Sequence, residues 1–176
     1  MASMRSIKRR KGSIESTQQI TKAMKLVSTV KLQRAKGRAE KSKSYFECMY
    51  ATVKSVLAKS GNINHPYLQA GDSTKKAVIV ITSNRGLAGG YNSNVIKLIT
   101  KGDFSKADTA LYTVGIKGKD YFSHHGYEVV KDYSDLIEEP AYADAMRISE
   151  DLLKAFSDGE FGEIYLAYTA FKNTVS

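Results

Sequence analysis

MASMRSIKRRKGSIESTQQITKAMKLVSTVKLQRAKGRAEKSKSYFECMYATVKSVLAKS, residues 1–60, contains no proline and only two glycines, Gly12 and Gly37. Ile14, Thr17, Ile20, Met24 and Val27 recur at steps of three and four, the spacing that puts side chains on one stripe of a helix. Ala23, Leu26 and Val30 are expected to widen that stripe. The seam then turns small at Ala35, Ala39 and Ser42, and bulk returns with Tyr45, Met49, Val53 and Val56. A continuous helix of about 45–55 residues at 1.5 Å each spans roughly 70–80 Å. A domain of this size is narrower than that, so part of the helix is expected to project. An isolated helix cannot bury its own apolar seam. The expectation is one half of a coiled coil, with small residues in mid-seam admitting a partner helix closely. In a single chain the seam is expected to be covered by another copy or partly disordered.

Charge is concentrated in the same stretch. Residues 1–60 carry 15 Lys and Arg against 3 Asp and Glu, a local net of +12, whereas the rest of the chain is slightly acidic and the whole is +9. A pI near 9.5 implies attraction to something acidic: nucleic acid, an anionic membrane surface or an acidic protein surface. With 176 residues, 42% of them apolar, the chain suffices for one core plus an extension. A lone cysteine, Cys48, excludes an intramolecular disulfide and fits a reducing compartment. No apolar run approaches the roughly 20 residues that span a bilayer. The charged opening has no apolar segment behind it, so it does not read as a secretory signal.

Gly61 to Thr74 collects Gly, Asn, Pro, Asp and Ser and reads as a loop, with Gly61 placed for a left-handed helix end. From Lys75 the period changes. Ala77-Val78-Ile79-Val80-Ile81 is the continuous apolar run of a strand buried on both faces. Strands are also expected at 110–114, 127–130 and 163–171, and helices at 95–99, 117–125 and 141–156, the last preceded by Pro140, a residue type favoured in first turns. This alternation predicts an α/β fold: a long N-terminal coiled-coil-type helix plus a Rossmann-like, mainly parallel sheet domain with flanking helices. The expected divisions are 1–60 for the helix, 61–74 for the linker loop and 75–176 for the α/β domain.

Ser83-Asn84-Arg85-Gly86-Leu87-Ala88-Gly89-Gly90-Tyr91-Asn92 follows the first strand, where a doubly wound sheet binds phosphates. Its spacing is G-x-x-G-G; it lacks both G-x-G-x-x-G and G-K-[ST], and no acidic residue about 20 positions on ends a second strand. A tight turn facing a partner or the interior is favoured over a nucleotide site, and Gly115 and Gly118 in VGIKGKD are a weaker echo of the same pattern. His65 sits in a loop, and the adjacent His124 and His125 point apart on a helix with no ligand at metal spacing. Glu138-Glu139 reads as helix-start chemistry rather than an acid–base pair. No catalytic, cofactor or metal residues are assigned. Lys8 to Lys11 and the basic residues behind them could be a nucleic-acid footprint, but no aromatic residue precedes Tyr45 to stack on bases. A basic helical nucleic-acid binder and a nucleotide-binding α/β enzyme remain the alternatives.

Two stretches carry a resemblance. Thr17-Gln18-Gln19-Ile20-Thr21-Lys22-Ala23-Met24-Lys25-Leu26-Val27-Ser28, continued by Lys31-Leu32-Gln33-Arg34-Ala35, is similar to the N-terminal signature of the gamma subunit of F-type ATP synthases. Thr82 to Asn92 resembles that family's S-D-R-G-L-x-G-x-x-N segment, and weaker agreement runs through His65-Pro66, Gly115 to Gly118 and Phe156 to Tyr168. The resemblance implies a non-catalytic central-stalk rotor that couples ion transport, of hydrogen ions in the usual case, to ATP synthesis on the alpha and beta subunits. The implied partners are those subunits, the epsilon subunit and the membrane c-ring. The implied location is peripheral, on the cytoplasmic face of the cell membrane.

On that resemblance Arg9, Arg10, Lys22, Met24 and Lys25 are the candidates for contact with acidic loops of the beta subunits. Asn84, Arg85, Gly86, Leu87, Gly89 and Gly90 form a partner-facing turn. Ile14, Ile20, Met24, Val27, Ala35, Met49, Val53 and Val56 form the coiled-coil seam. Three departures stand out. Asn84 replaces the family's usual Asp. Lys11-Gly12 takes the place of a pair opening on an apolar residue and is expected to fray the helix start. The family pattern also goes on to a second long helix, so half a shaft is expected from a chain truncated before it.

Overall fold

The computed structural model describes residues 3–61, 63, 65–69 and 71–172. Met1, Ala2, Asn62, Asn64, Ala70 and positions 173–176, which the expected elements include, lie outside them. The chain divides into two compact units, 1–63 and 64–176.

The first unit is one helix, α1, Met4–Lys59, of 56 residues. Ser3 caps it, its hydroxyl accepting from the Arg5 amide at 3.4 Å. The helix closes where Ser60 N–H donates to Val56 O at 3.0 Å and Gly61 takes φ 60°, the left-handed end expected of it. At 1.5 Å per residue α1 is about 84 Å long. It begins ten residues before the expected periodicity, because the basic opening turns hold helix without needing a buried face. The expected fraying at Lys11-Gly12 does not occur; Lys11 pairs with Glu15 at 3.7 Å, and Lys36–Glu40 and Lys43–Glu47 repeat that i,i+4 contact. Such exposed pairs contribute only a few tenths of a kcal/mol each, roughly. Thr17, Thr21, Thr29 and Thr52 donate to the carbonyl four residues back, each at 2.8 Å.

No described residue of α1 is buried. The helix runs unbroken through the seam, so the partial disorder offered as one of two expectations is not found, and in the single chain its apolar residues are exposed. Ile20, Met24, Val27, Ala35, Met49, Val53 and Val56 fall within about 80° on an ideal helix, with Ile14 about 60° outside. Leu26 and Val30 do not widen this stripe, since they stand about 100–140° from its centre. Lys31 and Arg38 interrupt it.

The second unit is built on four parallel strands: β1 Lys76–Ile81, β2 Thr109–Val114, β3 Glu128–Asp132 and β4 Glu163–Ala167, in the order β3-β2-β1-β4. Three helices connect them: α2 Tyr91–Thr100, α3 Ile116–His124 and α4 Tyr142–Ser157. Register places Val78 beside Leu111 and Val80 beside Thr113. Alternation then sends Val78, Val80 and Leu111 to one face, where they pack with Val95, Ile99 and Phe122 of α2 and α3. Ala77, Ala110 and Tyr112 go to the other, with Tyr133, Phe161 and the α4 residues Leu152 and Ala155. Both faces of β1 are covered, as a continuous apolar run requires.

Several boundaries move. The last strand stops at Ala167, short of the expected Phe171, because Ala167 pairs with Val80 near the end of β1 and the chain of β1 then turns toward β2, Thr82 N–H donating to Val114 O at 2.8 Å. α2 starts at Tyr91, four residues early, on a polar first turn that carries no periodicity. Pro140 lies before the cap of α4 rather than in its first turn; the Asp144 carboxylate instead accepts the Ala141 amide at 3.0 Å. Glu138-Glu139 also lie outside the helix.

Gly162 lies where residues 71–75 cross the entrance of β4. A Cβ there would stand 2.0 Å from Ser73 O, while Gly71 N–H donates to Gly162 O at 3.1 Å and Gly162 N–H to Lys75 O at 2.9 Å. Gly162→Ala is expected to destabilise the fold by about 2 kcal/mol or more. Urea denaturation followed by near-ultraviolet circular dichroism reads this as a lower midpoint.

Candidate functional site

Each unit holds part of the predicted site. On α1, Lys22 and Lys25 are three apart and share a face, with Met24 about 100° from Lys25. Arg9 and Arg10 stand 12–16 residues earlier, about 18–24 Å along the axis, so the helix does not gather all five. All are exposed, Met24 by 52%. Among the described residues none of the four cations has an ion-pair partner, whereas Lys11, Lys36 and Lys43 each do. The helix therefore presents unneutralised positive charge at two levels along its length, with Met24 exposed on a different side from Lys22 and Lys25.

The second part lies at the carboxyl ends of the strands, where the β1–α2 loop turns back over α3. The first three amides of α3 are the donors that a bound anion would use. Here they are taken by three successive residues of the β1 loop. Ile116 N–H donates to Asn84 Oδ1 at 3.0 Å, Lys117 N–H to Ser83 O at 3.0 Å and Gly118 N–H to Thr82 Oγ1 at 2.9 Å. The Thr82 hydroxyl itself donates to Gly115 O at 3.1 Å. That contact explains the VGIKG glycines: a Cβ would meet a Thr82 atom at 2.3 Å from Gly115 and at 2.8 Å from Gly118. The α3 entrance is filled by the protein's own groups, two side chains and one backbone carbonyl.

Asp132, at the end of β3, anchors the remaining loops. Its Oδ1 accepts from Thr113 Oγ1 at 3.2 Å, from Ser134 N–H at 3.1 Å and from the Ser134 hydroxyl; its Oδ2 accepts from Lys119 Nζ at 2.9 Å. Burial alone pushes this carboxyl up, but the bonds from Ser134, Lys119 and Thr113 outweigh it and hold the group below the usual carboxylate range. Ser134 Oγ in turn accepts the Gly115 amide at 3.1 Å, and Ser134 O accepts from Asn84 Nδ2 at 2.8 Å. Thr82, Asp132, Ser134 and Lys119 were not among the expected site residues. The D-x-S spacing of Asp132 and Ser134 after a strand was the available signal, since an Asp side chain commonly bonds the amide two residues on. A second carboxylate, Asp151 of α4, accepts the Tyr133 hydroxyl at 2.6 Å and Lys131 Nζ at 2.5 Å, tying α4 to the same strand end.

Of the expected turn residues, Asn84 is half-buried and structural, while Arg85 to Gly90 are exposed. Ser83 and Asn92 close the base, Ser83 N–H donating to Asn92 Oδ1 at 2.9 Å and Ser83 Oγ to Arg85 O at 2.6 Å. Leu87 has φ 61° and is 95% exposed. A leucine in that backbone region is strained by about 1–2 kcal/mol, and here no burial offsets it. Gly89, φ 55°, takes the same region freely. Among the described residues no three of His, Cys, Asp and Glu converge as metal ligands, and no helix is long and apolar enough to cross a membrane.

Residues 3–176 match the ATP synthase family. The chain is 64% identical over its whole length to the ATP synthase gamma chain of Lachnoclostridium phytofermentans. The chain belongs to the ATP synthase gamma family. It is also 40% identical over 174 residues to the gamma chain of Pelotomaculum thermopropionicum, and 38% identical over 170 residues to the ATP synthase gamma chain, sodium ion specific, of Acetobacterium woodii. These alignments take in 100%, 98% and 97% of this chain and 60%, 61% and 56% of the relatives, so the chain spans little more than half the length of the gamma chains it matches.

Asp132→Ala removes an acceptor of four bonds and is expected to cost about 1–3 kcal/mol at pH 7, read by urea denaturation. The folded carboxyl is depressed, so its contribution is complete above the unfolded value near 4 and is lost as pH falls below it. Wild type and variant are expected to begin converging in stability as pH falls below about 4 and to go on converging as it passes the depressed value of the folded carboxyl.

Proposed function

We propose that this chain serves as the central-stalk rotor subunit of an F-type ATP synthase, without chemistry of its own. In that assembly α1 is one strand of the shaft, and its seam packs against a second shaft helix of the same kind that the family pattern carries. The catalytic alpha and beta subunits surround the shaft; epsilon and the membrane c-ring meet its base at the cytoplasmic face. The observation that carries this reading is 64% identity across the whole chain to an ATP synthase gamma chain. The geometry supports it from two sides. The helix exposes its apolar residues along its whole length, which suits a sleeve of other subunits. In the α/β unit the α3 amides that could have held a phosphate are already bonded to Thr82, Ser83 and Asn84.

Arg9, Arg10, Lys22 and Lys25 are proposed to face acidic loops of the beta subunits. Exposed ion pairs are worth about 0–1 kcal/mol each and form and break without a large barrier, which suits a surface that changes neighbours during rotation. Co-expression with alpha and beta subunits of a related synthase is expected to yield a co-purifying complex; a chain that elutes alone at every salt concentration overturns the assignment. In that complex the double change Lys22→Glu and Lys25→Glu is expected to weaken association about tenfold at low salt and less at high salt. Equal affinity of wild type and variant at low salt removes the proposed contact.

A further inference from the structure

We propose that Lys31 and Arg38 set the axial register of the α1 seam, and that the helix seated there carries two carboxylates one heptad apart, facing them. This rests on the reading of α1 as one strand of a two-helix shaft and specifies the chemistry of the other strand. From Val27 the seam steps by threes and fours through Lys31, Ala35, Arg38 and Ser42 to Tyr45. On an ideal helix Lys31 and Arg38 stand about 20° and about 10 Å apart, and each lies within about 20° of the stripe's centre. They occupy core positions of the seam, not its flanks. Both are exposed, and among the described residues neither has an ion-pair partner. Their neighbours three and four residues away are Val27, Ser28, Arg34, Ala35, Lys41 and Ser42, which include no carboxylate.

A helix that covers the seam takes water away from two cations. Burying a cation is costly unless an opposite charge and hydrogen bonds meet it. α1 has no such group on this side. Its carboxylates, Glu15, Glu40 and Glu47, are paired with Lys11, Lys36 and Lys43 and lie about 140–180° round the helix from Lys31 and Arg38. The same placement argues against a second copy of this chain as the occupant. A parallel copy sets Lys31 against Lys31, and an antiparallel copy centred here sets Lys31 against Arg38. In any register the copy's carboxylates point away from the contact. The occupant is therefore a helix of different sequence, with acidic residues on its own apolar seam. Ala35 lies between the two cations and Ser42 just beyond, and small side chains there let a partner backbone approach within their reach. Apolar contacts alone permit several alignments of two helices. A slip of one heptad keeps at most one of the two ion pairs, so the pairs favour a single alignment.

The test titrates the full chain with the part of the Lachnoclostridium phytofermentans gamma chain that lies beyond the 60% aligned with this one. Wild type is expected to bind it, and Lys31→Glu with Arg38→Glu to weaken binding by about thirtyfold at low salt. Lys8→Glu with Lys54→Glu makes the same change of charge on the far side of the helix and is expected to alter affinity less than about threefold. All four positions are exposed, so far-ultraviolet circular dichroism is expected to be the same in both variants. An equal loss in the two variants, or no loss in the first, overturns the proposal and leaves the shaft reading standing. Failure of wild type to bind this part at any salt concentration overturns the shaft reading. A second set of probes then judges the seam by itself: helical peptides of about 35 residues with an apolar seam, carrying two Glu, two Gln or two Lys one heptad apart. Wild type is expected to prefer the Glu peptide and the Lys31→Glu, Arg38→Glu variant the Lys peptide; equal affinity for all three overturns the proposal. Sedimentation of the chain alone is expected to show a monomer. A dimer dissolved by Val27→Glu seats a second copy on the seam and overturns the choice of occupant.

Discussion

β1 has two apolar faces and both must be covered. Ala77, Val78 and Val80 are fully buried, and no single layer of helices can reach both sides of a strand. Placing β1 inside the sheet, between β2 and β4, and sending α2 and α3 to one face and α4 to the other satisfies this at once. The parallel pairing follows, since each crossover must return along a face. So does the clustering of the β1–α2, β2–α3 and β3–α4 loops at one end of the sheet, where Thr82, Asn84, Asp132 and Ser134 meet.

That end of a doubly wound sheet is a place where ligands commonly bind, because helix amides and strand ends converge there. In this chain the same convergence is used for bonding between loops. A threonine hydroxyl, a serine backbone carbonyl and an asparagine side-chain oxygen accept from the first three donors of α3, and two glycines make room for the threonine. What a ligand-binding site of this topology leaves open, this chain closes with its own groups. The outcome is a set of loops bonded to one another, with the exposed turn Arg85 to Gly90 beyond them.

α1 poses the opposite problem. Its backbone bonds and capping hold 56 residues of helix, yet none of its side chains is buried. Apolar residues lie mainly on one stripe, but Leu26 and Val30 lie well away from it, and Lys31 and Arg38 fall within it. A single partner helix would cover only the main stripe.

The long helix, the buried central strand, the order of elements and the family were all legible in residues close together in the chain. Periodicity reports local conformation and the burial of a face, and Ala77 to Ile81 or Ile20 to Val56 carry both within a short window. The strand ends, the role of Asn84 and the importance of Asp132 were not legible. Where β4 stops depends on where β1 stops pairing. Asn84 meets Ile116 and Ser134, 32 and 50 residues away, and Thr82 meets Gly115 and Gly118, 33 and 36 away. Hydrogen bonds at such separations leave no period in the sequence. They exist only once the parallel sheet has brought its loop-bearing ends together, so tertiary structure alone decided that the glycine-rich turn would be latched from behind.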